Sequence, residues 1–304
     1  MITPKYARDV INIGTMKKLK ILRNAGDIMF SHISGVEIAF HSQCNRKCEW
    51  CPNKYIDRTF YKEFDEDIFL KLLSDLKENG FGEKDSSTIS ISRFHEAFIN
   101  PELARKRSKQ IKKILPDVHL LIKSNGDFIT KENIKDIPFD RLNIMDYDGV
   151  GSARCLIKIN DIGFNFDFIR AKNSYIRARD ENSRIIIYKS NWKRNVELED
   201  RAGLLDPNSI NDMEWINKDK KRNRLCGEPF NTIIVDYDGS VMPCCHMRHD
   251  AKEHQEFILG NLHEKSIVEI YKSEKAKKIM KKFEKIETMP GVCTYCHKPE
   301  GGNK

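Results

Sequence analysis

Between residues 35 and 205, short β-type apolar stretches alternate with longer amphipathic ones. Gly35-Val-Glu-Ile-Ala-Phe40 alternates at period two and predicts a first strand. Asp65 to Glu78 places Ile68, Leu70, Leu72, Leu73 and Leu76 along a helix behind an acidic first turn. Thr88 to Ser92, His119 to Lys123 and Arg141 to Met145 predict three further strands, with Arg154 to Ile159 and Arg184 to Tyr188 after them. Strands alternating with helices build a parallel sheet, and the active sites of such folds lie at the C-terminal strand ends. Six units fit; periodicity alone does not separate a partial barrel from a doubly wound sheet. Beyond residue 205 the pattern changes. Asn231 to Asp236 reads as a strand, Asp238-Gly239 as a tight hairpin turn, Ser240 to Pro243 as the return, and Lys265 to Phe283 as a helix. The expected organisation is a lead-in over 1–34, a parallel α/β domain over 35–205 and a small β-hairpin plus helix domain over 206–304.

Composition narrows the class. Hydrophobic residues make up 39% and charged residues 32% of 304, as in a globular protein. The longest apolar runs, Ile185 to Tyr188 and Thr232 to Val235, fall far short of the ~18 residues of a membrane span, and the first residues have no apolar signal core. A cytoplasmic location with no membrane partner is the expectation. The net charge of +8 sits largely in Arg105–Lys113, Lys218–Arg224 and Lys275–Lys285. No aromatic residues interleave there as a base-stacking platform requires, so these read as solvated helix faces and not as a nucleic-acid surface.

The cysteines change the picture most. There are 9. Cys44, Cys48 and Cys51 form C-x3-C-x2-C, Cys293 and Cys296 form C-x2-C, Cys226, Cys244 and Cys245 lie between, and Cys155 stands alone. In a reduced compartment such usage points to metal or redox chemistry, not to a disulfide framework. Three thiolates in one loop hold three irons of a 4Fe–4S cluster, leaving the fourth iron open. An electron carrier closes its set with four, and zinc ribbons generally use paired C-x2-C units.

His41-Ser-Gln-Cys44-Asn-Arg-Lys-Cys48-Glu-Trp50-Cys51-Pro-Asn resembles the cluster loop of the radical S-adenosylmethionine (SAM) enzymes. The resemblance implies a partial (β/α)6 barrel and an open iron that chelates SAM. It also implies reductive cleavage to a 5′-deoxyadenosyl radical that removes a substrate hydrogen atom, with Trp50 near the adenine. It implies a flavodoxin- or ferredoxin-type reductant as well. Arg93-Phe-His-Glu96-Ala-Phe-Ile-Asn-Pro101 occupies the place of the family's Gly-Gly-Glu-Pro loop, whose Glu holds the SAM amino group. Here Phe94 and His95 replace both glycines, and Ala97 replaces the following proline. Ser124-Asn125-Gly126 resembles the family's turn after the third strand, placing Ser124 and Asn125 toward the SAM ribose or carboxylate. Arg201 is a candidate for pairing with a carboxylate. Asp146 and Asp148 are substrate-side candidates, equally readable as a turn.

Cys226, Gly239-x4-Cys244 and the Cys293–Cys296 pair resemble the auxiliary-cluster region called SPASM, in its one-cluster form the twitch domain. The resemblance implies one auxiliary 4Fe–4S cluster held by Cys226, Cys244, Cys293 and Cys296; structural zinc is the alternative for four thiolates. Cys245 is either a small buried neighbour, a substitute ligand for Cys244, or a hydrogen-atom donor to a substrate radical. Cys155 reads as core. The leading functional expectation is modification of a peptide or protein by oxidation, cross-linking or epimerisation. The alternatives are a dehydrogenase or epimerase of a sugar or aminocyclitol, and, from another class, a non-catalytic iron-sulfur or zinc-binding protein.

Overall fold

The computed structural model describes residues 30–83, 87–146, 166–171, 175–180, 185–189, 200–206, 221–223 and 225–296. One mixed sheet carries ten strands: β1 (Gly35–Ile38), β2 (Thr88–Ile91), β3 (His119–Ser124), β4 (Arg141–Asp146), β5 (Phe166–Ala171), β6 (Tyr175–Asp180), β7 (Ile185–Lys189), β8 (Thr232–Val235), β9 (Ser240–Met242) and β10 (Gly260–Asn261). Their spatial order is β10-β9-β8-β1-β2-β3-β4-β7-β6-β5. The six at the centre, β8-β1-β2-β3-β4-β7, run parallel. Antiparallel strands flank them on both sides. The helices are α1 (Glu66–Glu78), α2 (Pro101–Ile114), α3 (Lys131–Ile134), α4 (Glu228–Asn231), α5 (Ile267–Lys272) and α6 (Glu274–Lys281).

Several sequence expectations change in detail. Among the described residues, five parallel strands come from the 35–205 stretch; the sixth, β8, comes from the stretch after 205 and pairs with β1 from Gly35↔Thr232 to Ile38↔Val235. The hairpin β8–β9 is thus an extension of the main sheet. Its turn needs Gly239, whose φ is 83° and where an added Cβ would come within 2.9 Å of the His263 ring. The expected 265–283 helix is split into α5 and α6 because Ser273 ends one and caps the other, its hydroxyl accepting from the Ala276 N–H. The β5–β6 hairpin had no sequence expectation. The lead-in up to residue 29, the Arg154–Ile159 strand, Asp148 and Cys155 lie outside the described residues.

The parallel strands are four to six residues long and show two faces. Val36, Ile38, Ile89, Ile91, Leu120, Ile122, Leu142 and Ile144 join Phe69, Leu72, Leu73, Leu76, Leu103 and Ile111 of α1 and α2 in one buried cluster. α1 starts on Asp65, which accepts from the Ile68 N–H; α2 starts on Asn100, which accepts from the Leu103 N–H, with Pro101 first. The opposite face carries Glu37, Ser90, Lys123 and Asn143, with Glu37 paired to Ser90 and Lys123 to Asn143 in register. No helix among the described residues is long and apolar enough to cross a membrane.

One carboxylate joins the loops at the C-terminal strand edge. Asp236, just after β8 and fully buried, accepts two bonds from Arg58 (3.1 and 3.0 Å) and one from Arg93 Nε (3.0 Å). Burial alone would raise its pKa, but Arg58 and Arg93 more than offset this and hold it well below the usual carboxylate range. Replacing one partner of a buried pair strands the others: Asp236→Asn is expected to cost about 3–5 kcal/mol, read as a lower urea midpoint. In the wild type this contribution is complete above the ordinary carboxylate pKa and is lost only as pH falls through the depressed folded value, so the variant should lack that acid limb.

Candidate active site and iron-sulfur centres

Because β1, β2, β3 and β8 are parallel, their C-terminal ends share one edge, and each delivers a polar loop there. β1 leads into the three-cysteine loop. Its base is closed by the Cys44 N–H donating to the Arg58 carbonyl (3.0 Å), and the Cys51 N–H donates to the Cys48 carbonyl (3.0 Å). None of the three cysteines is in a disulfide, and all are half-buried. Burial raises Cys44 to about 11 and Cys51 above the usual thiol range; Arg201, Arg248 and Arg58 draw Cys51 back down. Three soft thiols beside guanidinium groups suit a thiolate-bound, electron-rich centre.

Glu96, after β2, meets Ser124 and Asn125, after β3. Its carboxylate accepts from Ser124 Oγ (2.7 Å), the Asn125 N–H (2.7 Å) and the Phe98 N–H (3.2 Å). A carboxylate has about four acceptor positions, so one remains for an ammonium group. Burial pushes Glu96 up to about 7, against those donors. The turn is locked: Gly126 has φ 84°, and a Cβ there would lie 3.0 Å from Ile144. It is also tied to the cysteine loop, for Asn125 Nδ2 donates to Asn45 (2.9 Å), while Asn45 and Arg46 both donate to Asp127 (2.7 and 2.6 Å). Sequence reading had found Glu96, Ser124 and Asn125 but not Asn45, Arg46 or Asp127.

The missing glycines have a physical resolution. Phe94 adopts φ 45°, a left-handed conformation uncommon outside glycine. Its ring lies under three guanidinium groups: Arg248 at 4.9 Å, Arg93 at 5.3 Å and Arg58 at 6.0 Å. Cation–π contacts of about 0.5–2 kcal/mol each can offset strain of a few kcal/mol. His95 is buried, its Nδ1 bonded to the Arg93 carbonyl (2.9 Å), and burial lowers it to about 4. It packs edge-on to His41, 4.8 Å away, which burial and then His95 lower to about 2. Both imidazoles are neutral at physiological pH.

On the polar sheet face, Glu37 approaches Arg93 at 3.9 Å. Burial and then Cys245 push it up to about 7, with Lys123 and Arg93 pulling the other way. Asn143 Oδ1 is buried with no hydrogen-bond partner among the described residues. Sequence reading missed this row; the signal was a charged residue inside each of two otherwise apolar strands, Glu37 and Lys123.

The C-terminal thiols gather from three segments. Burial raises Cys226 and raises Cys293 to about 12; Cys296 acts on both in the same direction, and Cys226 also acts on Cys293. Cys244 is raised well above the thiol range, first by a bond to Cys245, then by burial and by Cys226 and Cys296. Four free thiols pressing on one another fit a group of positive irons, which deprotonates its ligands. Among the described residues no three His, Cys, Asp or Glu side chains stand close enough to share one metal ion. Arg201, the candidate carboxylate partner, has its Nη1 2.9 Å from His246 Nε2.

Comparison with known proteins agrees with this arrangement. The iron-sulfur cluster-binding family SPASM matches residues 226–297. The chain is 24% identical over 244 residues to an S-adenosyl-L-methionine-dependent 2-deoxy-scyllo-inosamine dehydrogenase from Niallia circulans, covering 80% of this chain and 83% of that one. It is 22% identical over 297 residues to a tungsten-containing aldehyde ferredoxin oxidoreductase cofactor-modifying protein from Pyrococcus furiosus, covering 77% and 79%. Among solved structures, BtrN in complex with AdoMet and 2-DOIA superposes with a TM-score of 0.58 at 21% identity, covering 83% of this chain and 87% of that one. The C-terminal SPASM match, the SAM-dependent relative and the three-cysteine loop at the strand edge support a radical SAM enzyme that carries a SPASM domain.

Proposed function

We propose that the chain is a radical SAM dehydrogenase of a small, polar, hydroxylated or amine-bearing molecule, converting a carbinol carbon to a carbonyl. The observation that carries this reading is the polar row Glu37, Ser90, Lys123 and Asn143 beside the cysteine loop, with the Asn143 carbonyl oxygen still open. Acceptors and donors of both charge signs at sheet spacing match the hydroxyl and ammonium groups of such a molecule. The likeness to a dehydrogenase named for 2-deoxy-scyllo-inosamine supports the same class. When bound, SAM and its cluster supply a 5′-deoxyadenosyl radical that removes a hydrogen atom, and the C-terminal cluster supplies an acceptor for one electron.

The chain's own residues do the rest. Cys44, Cys48 and Cys51 hold the first cluster; Cys226, Cys244, Cys293 and Cys296 hold the second. The remaining acceptor position of Glu96 takes the SAM ammonium group, Ser124 and Asn125 hold that carboxylate in place, and Trp50 borders the adenine. Arg201 lies between the two cysteine sets, beside His246 and acting on Cys51. Glu37 takes the hydroxyl proton as the carbonyl forms, so that the substrate loses one hydrogen atom, one proton and one electron. A flavodoxin- or ferredoxin-type protein delivers the initiating electron.

Anaerobically reconstituted protein should carry about eight irons, falling to about four in Cys44→Ala. With dithionite and SAM the wild type should release 5′-deoxyadenosine; its absence overturns the reading. With an aminocyclitol panel the product should be lighter by two hydrogens, and a peptide product instead would return the case to the maturase expectation. Rate should rise between about pH 6 and 8 as Glu37 loses its proton, since the ionised form is the base. Glu37→Gln should lower kcat/KM by about 100-fold and flatten that limb.

A second reading rests on Cys245, whose thiol acts on Glu37 and so lies on the substrate side. In that case it returns a hydrogen atom from the opposite face and the net reaction is epimerisation. Deuterium from solvent would then appear in the product and disappear in Cys245→Ala; a two-hydrogen loss with no deuterium uptake rules it out.

A further inference from the structure

His246 touches two of the four C-terminal cysteines. Its backbone N–H donates to Cys244 Sγ (3.4 Å), and its Nδ1 lies 3.3 Å from Cys296 Sγ. The ring is buried, and its other nitrogen, Nε2, faces Arg201 Nη1 at 2.9 Å. An arginine has five N–H donors and no acceptor. Nε2 must therefore accept, so the ring proton resides on Nδ1 and points at the Cys296 sulfur. The arginine, not the sulfur, fixes this tautomer.

The backbone holds Arg201 there at a cost. Arg201, Ala202 and Gly203 have φ values of 51°, 55° and 83°, three successive left-handed residues, two of them with a Cβ. Such runs persist only where their surroundings over-determine them. His254 Nε2 bonds the Ala202 carbonyl (2.8 Å) and Ala202 is buried, so the turn is clamped from the hairpin side. Arg201 also acts on Cys51 of the first cysteine set. One guanidinium thus stands between the two cluster sites.

We infer that His246 sets the reduction potential of the C-terminal cluster, its Nδ1–H donating to the Cys296 sulfur in the tautomer that Arg201 imposes. Hydrogen bonds to ligand sulfurs withdraw electron density from a cluster and favour its reduced form. His246 is a positioning residue here; it touches a ligand sulfur, not the substrate. The inference rests on the four C-terminal cysteines holding an iron-sulfur cluster, and it deepens the dehydrogenase reading, because an acceptor of a substrate electron needs a raised potential.

The test is redox titration of the reconstituted holoenzyme followed by electron paramagnetic resonance. The auxiliary signal is recognised by its indifference to added SAM. In His246→Phe its reduction equilibrium should fall about tenfold, which is about 59 mV for one electron. His246→Asn, which restores an N–H near the Nδ1 position, should recover part of that loss. A full iron content with an unchanged potential in His246→Phe overturns the inference. Should that variant fail to hold iron, pulsed measurements on reduced wild-type protein carrying ¹⁵N-histidine decide instead. Coupling to one histidine nitrogen and one exchangeable proton supports the bond, and no such coupling overturns it. Neither readout depends on which substrate is oxidised, so a wrong substrate class leaves this result standing, and the reverse holds too.

Discussion

A single buried carboxylate governs how the catalytic edge is assembled. Asp236 stands at the end of β8, and its two oxygens hold Arg58, which closes the cysteine loop, and Arg93, which opens the loop after β2. Neither arginine is solvated: both are about 1% exposed. Charges so placed must be paired or the loops open to water. Arg248 extends the network, donating to Asn53 of the cysteine loop (2.6 Å) and to Asp250 (2.7 Å), which also accepts from Arg58 (3.0 Å). The loop that carries three thiols is therefore fixed from the hairpin side as much as from its own strand. Arg58 and Arg248 face Cys51 from this network, which lets the same cations that hold the loop stabilise thiolate charge in it.

The sheet's two faces divide the remaining work. Apolar positions at i, i+2 on β1 to β4 bury against α1 and α2 and supply cohesion. The alternate positions would be wasted as hydrophobics on a face turned from the helices, and they are Glu37, Ser90, Lys123 and Asn143. A polar row costs stability unless water or a ligand satisfies it, and the unpartnered Asn143 oxygen marks where that cost is still carried. Phe94 tells a similar story on the loop edge. A residue other than glycine in a left-handed conformation is expensive, and it is retained where its ring can lie beneath three arginines.

Legibility in the sequence followed the range of the interactions involved. The parallel α/β core, α1 and the hairpin with Gly239 could be read because each depends on local period or spacing, whereas Glu96, Ser124 and Asn125 were singled out by resemblance to a family's loops. Cysteine spacing was informative because cluster ligation is a near-neighbour constraint in the loop. What escaped was set by contacts distant in sequence. Nothing near Asp236 announces that it pairs with residues 178 and 143 positions away, and nothing in the 231–243 pattern says that β8 will lie parallel to β1 and not only in a hairpin. The split of α5 from α6 was missed for a local reason: a serine cap interrupts an amphipathic pattern without breaking its apolar period. Glu37 and Lys123 drew no notice within their predicted strands, although an ionisable group inside a short buried strand is costly enough to call for a task.

The two cysteine sets differ in the way their chemistry demands. The N-terminal three lie half-buried in one loop, with three arginines acting on Cys51 and Glu96, which has an acceptor position to spare, acting on Cys44. On the reading proposed above, that site takes in a zwitterionic cosubstrate, whose amine and carboxylate need opposite charges. The C-terminal four come from three segments, three of the four thiols are buried, and His246 lies against two of the sulfurs, its backbone N–H donating to Cys244 and its Nδ1 facing Cys296. Buried sulfur with hydrogen bonds and no vacancy favours accepting charge over binding a molecule, because each donor stabilises the more negative state. Arg201 stands between them and is held by a strained turn. A cation at that point lowers the energy of an electron on either side, so on the proposed reading the direction of electron flow is left to the potentials that each set's own donors impose.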